Sequence, residues 1–254
     1  MNRINATLAC LFALGCAGHW AKVQANSIVV NSTADSGSAC TLRNAIDNAN
    51  NNAQTHSGCT AGSGADTITF DSGVFSSPQT ITVASTLPQL TDTATTTIDG
   101  GNVVTVSGNN AVQVFWVGDL SNGNGSAVLR NLVISNGKGS GYGGGMFMTG
   151  TTLTLDHVTF SNNTTGLGGG GLASQNGTTT INDCVFTGNS TATYIGGGYY
   201  FSGTTGVTAD IRNSTFTGNS AGSGGGAIVT AYGGTVTVTN STFSGNTAGN
   251  YGSA

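Results

Sequence analysis

The stretch FTGNSAGSGGGAIV, residues Phe216 to Val229, decides how the whole chain is read. Alone it has the composition of a loop: a Phe, an Asn three places later, three glycines and a short apolar run. Aligned with the rest of the chain it becomes one period of a repeat. FSNN begins at Phe160, FTGN at Phe186 and Phe216, and FSGN at Phe243, while Ile134 of VISNG holds the same place one period earlier. Glycine triplets keep step at Gly143–Gly145, Gly169–Gly171, Gly196–Gly198 and Gly224–Gly226. Each is followed by a short run (MFM, LAS, YYF, AIV), and a further run precedes each Phe (TLTL, TTTI, TADI, TVTV).

Three strand-like segments per period, separated by turns, describe one coil of a β-solenoid. Successive coils lie about 4.8 Å apart, so equivalent side chains stack into columns. Leu129, Leu155, Ile181, Ile211 and Val238 form one apolar column. Ile134, Phe160, Phe186, Phe216 and Phe243 form an internal aromatic stack, and Leu132, Val158, Cys184, Ser214 and Ser241 a narrower column. Asn163, Asn189, Asn219 and Asn246 follow as an amide ladder, placed by the tolerance of Asn for left-handed turns and by coil-to-coil hydrogen bonding. The glycines supply the sharp corners. The expected fold is an all-β right-handed parallel β-helix of about seven coils.

Composition agrees. Of 254 residues only 6 % are charged, and every acid is Asp, which disfavours a helical chain. A net charge of −4 with six Lys or Arg argues against a nucleic-acid partner. At the N-terminus, Arg3, the apolar ATLACLFALGCAG and the VQA at Val23–Ala25 read as a signal peptide spanning residues 1–25. Cys16 lacks the Leu three places earlier that a lipoprotein site carries. No second apolar segment reads as membrane-spanning. The mature chain is expected to be exported, either secreted or held at the cell surface. Export favours a disulfide between Cys40 and Cys59, leaving Cys184 as a small buried hydrophobe.

Residues 26–127 are less regular than 128–254. SIVV, TITF, TITV, TTTI, VVTV and VFWV still read as strands. The exception is CTLRNAIDNAN, Cys40–Asn50, where Leu42, Ala45, Ile46 and Ala49 share a helical face. A short helix here is expected to cap the first coil, whose edge would otherwise expose apolar columns.

Two resemblances attach to these residues. FxxN at Phe160, Phe186, Phe216 and Phe243, with GGAI at Gly225–Ile228, resembles the polymorphic outer-membrane protein repeats. That resemblance implies a β-helix passenger on a bacterial surface, often adhesive. CTLRNAIDNAN is similar to the CSLREAI motif of exported bacterial β-helix proteins, which implies architecture and export but no catalytic residue. The chain stops at NTAGNYGSA, where the next glycine corner is due, with no barrel or sorting tail. Truncation is the expectation, with a partner at the open last coil as the alternative.

Catalytic, metal and cofactor sites are all expected to be absent. Asp156, Asp183 and Asp210 fall four, three and six places before their Phe, hence in three columns. Asp156 aligns with Arg130 one coil below, and a solvated Arg130–Asp156 pair is expected. His157 aligns with Asn131, Asp183, Asn213 and Asn240 and reads as a polar turn residue. GSGYGG, Gly139–Gly144, matches a dinucleotide fingerprint without the helix that gives it meaning. Thr152, Thr178, Thr208 and Thr235 form one outward rank, and Thr154, Thr180, Asp210 and Thr237 another, a surface suited to sugar or to ice. Phe115, Trp116, Tyr199, Tyr200 and Tyr232 could line a glycan-binding strip, with about half turned inward by strand alternation. The leading expectation is a non-catalytic structural or adhesive module contacting glycans or host-surface proteins. A carbohydrate-active enzyme is the alternative, and an ice-binding protein the third reading.

Overall fold

A computed structural model describes residues 26–121, 125–250 and 252; the expected signal peptide lies outside them. The backbone winds into about seven right-handed parallel coils, with a single α-helix among the described residues. Parallel strands stack into three sheets, one of twelve strands and two of five. All strand pairs named below are parallel, so each sheet is built by stacking of successive coils and not by hairpins.

The columns read from the sequence are present in register. Phe160 pairs with Phe186, Phe186 with Phe216, and Phe216 with Phe243. Their rings stack face to face at 4.8, 4.5 and 5.1 Å, within 7° of parallel. Leu129, Leu155 and Ile181 are fully buried beside them. The long interval from Phe186 to Phe216 does not shift this register, because Thr180 still lies opposite Asp210 and Thr208 opposite Thr235. The extra residues are taken up mainly by residues 203–207, between the strands Tyr199–Ser202 and Thr208–Arg212. In the last described coil Val238 and Phe243 remain partly exposed.

The corners differ from expectation in instructive ways. The ladder asparagines are not the left-handed residues. That conformation falls one place earlier, on Asn162, Gly188, Gly218 and Gly245. Asn163, Asn189 and Asn219 turn inward and are fully buried. Asn189 Nδ2 donates to Phe160 O at 2.9 Å and to Asn219 Oδ1 at 3.0 Å, while Asn189 Oδ1 accepts from Asn163 N and Nδ2. Each amide thus satisfies backbone groups that the turn has removed from the strand ladder. The Thr run and the Phe run belong to one sheet, creased at Asn131, His157, Asp183, Asn213 and Asn240, all with φ between 49° and 56°. His157 makes this crease with a left-handed backbone inside the strand Thr152–Ser161, and not in a turn between strands.

Cys184 is more than a small hydrophobe. Its Sγ accepts the Val158 N–H at 3.4 Å, its own N–H donates to Ser214 Oγ at 3.1 Å, and Ser214 N–H donates to Ser241 Oγ at 3.1 Å. The narrow column is a second hydrogen-bonded ladder just past the crease, one that Leu and Val fill lower in the solenoid. Burial pushes the Cys184 thiol up to about 12. Arg130 also departs from expectation: its Nε pairs with Asp99 one coil below, at 2.8 Å, and not with Asp156 above. Burial opposes ionisation of Asp99, but hydrogen bonds from Asn131 and Gly101 and the Arg130 charge outweigh it and hold its carboxyl low.

Close coil packing explains the glycine triplets. A Cβ at Gly170 would stand 2.5 Å from Gly197 O and from the Ser190 backbone, a contact no side chain tolerates. Gly169, at φ 72°, makes the turn that precedes it.

The helix forms at Leu42–Asn51, capped by Thr41, whose side chain accepts from Asn44 N. Leu42, Ala45, Ile46 and Ala49 are fully buried against the first coil, as their spacing predicted. The Cys40–Cys59 disulfide is formed, closing a 19-residue separation and fixing the segment that follows the helix. TTTI and VVTV prove to be parts of one long strand, Thr95–Ser107, irregular between Asp99 and Val104.

Candidate functional site

The sheet containing Phe115–Val117, Met146–Thr149, Leu172–Gln175, Tyr199–Ser202 and Ile228–Ala231 carries the aromatic surface. Strand alternation turns Phe115 and Tyr199 into the core, both fully buried. Tyr199 Oη shares a 2.6 Å hydrogen bond with Ser174 Oγ, and burial raises its phenol. The outward column is Trp116, Phe147, Ala173, Tyr200 and Val229. Trp116 meets Phe147 edge-on, with ring centroids 5.2 Å apart. Ala173 leaves a gap between Phe147 and Tyr200, and the Tyr142 ring lies between these two, 6.5 Å from the first and 5.1 Å from the second. Four rings thus form a continuous cluster across four successive coils, in which Phe147 and Tyr200 are buried and Trp116 and Tyr142 are half-buried. Burial raises the Tyr200 phenol. Tyr232 stands apart, 81 % exposed.

At the lower end of the strip a groove of about 750 Å³ opens, lined by Trp116, Phe147 and Tyr142 together with Gln113, Lys138 and the segment Thr86–Gln89. The capping helix holds that segment in place. Arg43 Nη1 donates to Thr86 O at 3.0 Å and Nη2 to Ser85 O at 2.8 Å, while Nη2 pairs with Asp35 at 2.8 Å. Asn50 Nδ2 donates to Gln89 O at 2.6 Å. From the other side Leu87 N donates to Val114 O, and Leu90 N to Trp116 O. Gln113 Nε2 donates to Tyr142 O at 2.8 Å and to Gly143 O, fixing the Tyr142 turn. The Trp116 indole N–H is buried and finds no acceptor among the described residues. The groove therefore joins planar apolar surface to polar side chains and one cation, a mixture suited to a ligand with both C–H faces and hydroxyls.

Of the strip read from the sequence, Trp116 and Tyr200 lie in the outward column, linked only through Phe147 and Tyr142 and with Tyr200 buried beneath Tyr142, Phe115 and Tyr199 go to the core, and Tyr232 makes no ring contact with either. Phe147, Tyr142, Lys138 and Gln113 were not foreseen. Phe147 had a signal, since MFM follows its glycine triplet at the strand position that FWV occupies one coil below. Tyr142 had none, because it fills a gap made by Ala173 from outside the strand.

The other candidates are placed as follows. Thr152 lies opposite Thr178, Thr154 opposite Thr180, and Asp210 opposite Thr237, so both ranks exist on the outer face of the large sheet. Asp156, His157 and Asp183 converge, with ligand-type atoms all within 4.8 Å of one another, although Asp156 and Asp183 occupy different columns. His157 Nδ1 contacts Asp156 Oδ1 at 3.0 Å on open surface. Asp210 does not join them and pairs with Arg212.

The family model described as the right handed beta helix region matches residues 94–253. The chain belongs to this family. Comparison with curated proteins and with solved structures found no match. Right-handed β-helices include polysaccharide-active enzymes and non-catalytic modules, so membership gives the fold and leaves the chemistry to the site. In this β-helix the match takes in Trp116, Lys138, Tyr142 and Phe147 but not the capping helix that holds the groove's far wall.

Proposed function

We propose that this β-helix is an exported, non-catalytic module that binds glycan chains along its lateral groove. The observation that carries the reading is the pair of half-buried rings Trp116 and Tyr142, backed by the buried Phe147 and Tyr200, at a groove whose lining contains amide, hydroxyl and ammonium groups but no carboxylate. Aromatic faces accept the C–H faces of sugar rings, and the polar rim accepts their hydroxyls. Without a carboxylate the groove lacks the acid–base pair that glycoside hydrolysis uses. Export is supported by the leader-like residues 1–25, the Cys40–Cys59 disulfide and the resemblance to outer-membrane repeats and to CSLREAI proteins. On that reading the partner is a host or cell-surface glycan, and the module sits at or beyond the outer membrane.

A carbohydrate-active enzyme is the competing reading, favoured by one observation, the convergence of Asp156, His157 and Asp183. One experiment separates the two. The mature protein and W116A are run through gels containing neutral and acidic polysaccharides, and the same mixtures are assayed for product. Retardation of the wild type, lost in W116A, without product formation is the expected result. Sustained product formation, abolished by D156N and D183N, overturns it. Thermal hysteresis from the Thr ranks would support ice binding instead.

A further inference from the structure

We infer that the glycan bound in the groove is acidic, and that Lys138 recognises the carboxylate of a uronic-acid unit; this rests on the glycan-binding reading above. The described residues include four Lys or Arg side chains: Arg43, Arg130, Lys138 and Arg212. Each arginine is matched by an aspartate. Arg43 pairs with Asp35, Arg130 with Asp99, and Arg212 with Asp210. Lys138 has no anionic partner among the described residues, and it is the one cation that lines the groove. It stands in the short strand Lys138–Gly139, exposed, with Tyr142 four residues on.

The surroundings sharpen this asymmetry. The chain has a net charge of −4, so an anionic polymer is repelled by most of the surface. The groove reverses the sign locally, because its lining holds an ammonium and no carboxylate. An unpaired lysine beside aromatic rings also departs from the pattern of the rest of the fold, where every other described cation is neutralised within the chain. A sugar ring lying on Trp116 or Tyr142 presents its ring substituents at the edge of the strip. Lys138 has three donors on a flexible stem and can meet a carboxylate there. One ammonium balances one carboxylate. It does not form the multi-donor, fork-like site that favours sulfate or phosphate esters.

The test uses the mature protein and isothermal titration with three probes of equal length: a glucuronate-bearing oligosaccharide, its carboxyl-reduced neutral form, and a sulfated oligosaccharide. At low salt the wild type should bind the acidic probe about fivefold more tightly than the neutral one, the upper range for a solvent-exposed ion pair. K138Q should bring the acidic-to-neutral affinity ratio down to about one, and K138E should reverse it. The preference should also fade in high salt, as screening requires. Equal wild-type affinity for acidic and neutral probes, or a preference that survives K138Q, overturns the inference and leaves the glycan reading intact. Preference for the sulfated probe overturns the assignment to a carboxylate. Binding of no probe by the wild type overturns the glycan reading itself.

Discussion

Replacing Asn189 by Asp tests the amide ladder with almost no change of shape. The variant keeps an oxygen to accept from Asn163 N and Nδ2. It loses the NH₂ that donates to Phe160 O at 2.9 Å and to Asn219 Oδ1 at 3.0 Å. Two buried acceptors are then left facing a carboxylate at a position with no exposure. Each orphaned buried group costs about 1–3 kcal/mol, so N189D should lose roughly 2–6 kcal/mol, before any cost of burying charge. Urea denaturation followed by circular dichroism measures this directly. The deficit should also depend on pH. Burial and the two acceptors raise the folded-state pKa of the new carboxyl above its unfolded value, so the deficit is largest at pH 7 and shrinks as the pH falls through that raised pKa. A protonated Asp regains one donor. If N189D fails to fold, N246D, at a less buried rung, gives a graded version of the same measurement. A loss below about 1 kcal/mol, or a deficit indifferent to pH, would refute the claim that these amides carry the corners.

Three further outcomes are expected. Cys184, whose thiol burial pushes up to about 12, should resist alkylation at pH 9 in the native state and react once unfolded; because that value lies above the ordinary 9.0, the native state should lose stability relative to C184S as pH rises from 9 to 12, measured by denaturation at each pH. C184S itself should be close to neutral at pH 7, since serine already fills this column at Ser214 and Ser241. Replacing Cys40 and Cys59 together by Ser should cost about 3 kcal/mol in thermal or urea unfolding, and a reductant should reproduce the effect in the wild type. R43A should weaken glycan binding without contacting ligand, by freeing Ser85 and Thr86; R43K should rescue it only partly, because an ammonium cannot span two carbonyls and the Asp35 carboxylate as the planar guanidinium does, and titration calorimetry would show it.

The solenoid was legible because a coil of this kind repeats its chemistry at the same side-chain positions. Phe160, Phe186, Phe216 and Phe243 announce a stack by recurrence alone, and Leu42, Ala45, Ile46 and Ala49 announce the cap by helical spacing. What recurrence cannot reveal is which backbone group a side chain serves. The sequence marks Asn163, Asn189 and Asn219 as a column but not that they face inward while their predecessors take the left-handed turn. The Cys184–Ser214–Ser241 ladder was hidden for the same reason, since the Leu132 and Val158 side chains that occupy the column lower down can accept no hydrogen bond. The groove was the least legible part, because it is made where the repeat is broken. Ala173 interrupts the outward aromatic column, Tyr142 enters from a glycine-rich turn, and the far wall comes from residues 86–89, held by a helix outside the repeat. Arg130 shows a related limit: alignment offers it acids on both sides, and only local geometry selects Asp99 over Asp156.

Outside residues 1–25, Trp116 is the one tryptophan of the chain, and it lines the groove, so protein beginning at Asn26 carries a single indole. Its intrinsic fluorescence during titration with a glycan retained by the wild type therefore reports on the site itself. A saturable shift or quench that follows the calorimetric binding curve, and that weakens in Y142A, is the result expected. Binding that saturates while the Trp116 emission stays constant would place the ligand elsewhere and contradict the assignment of the groove.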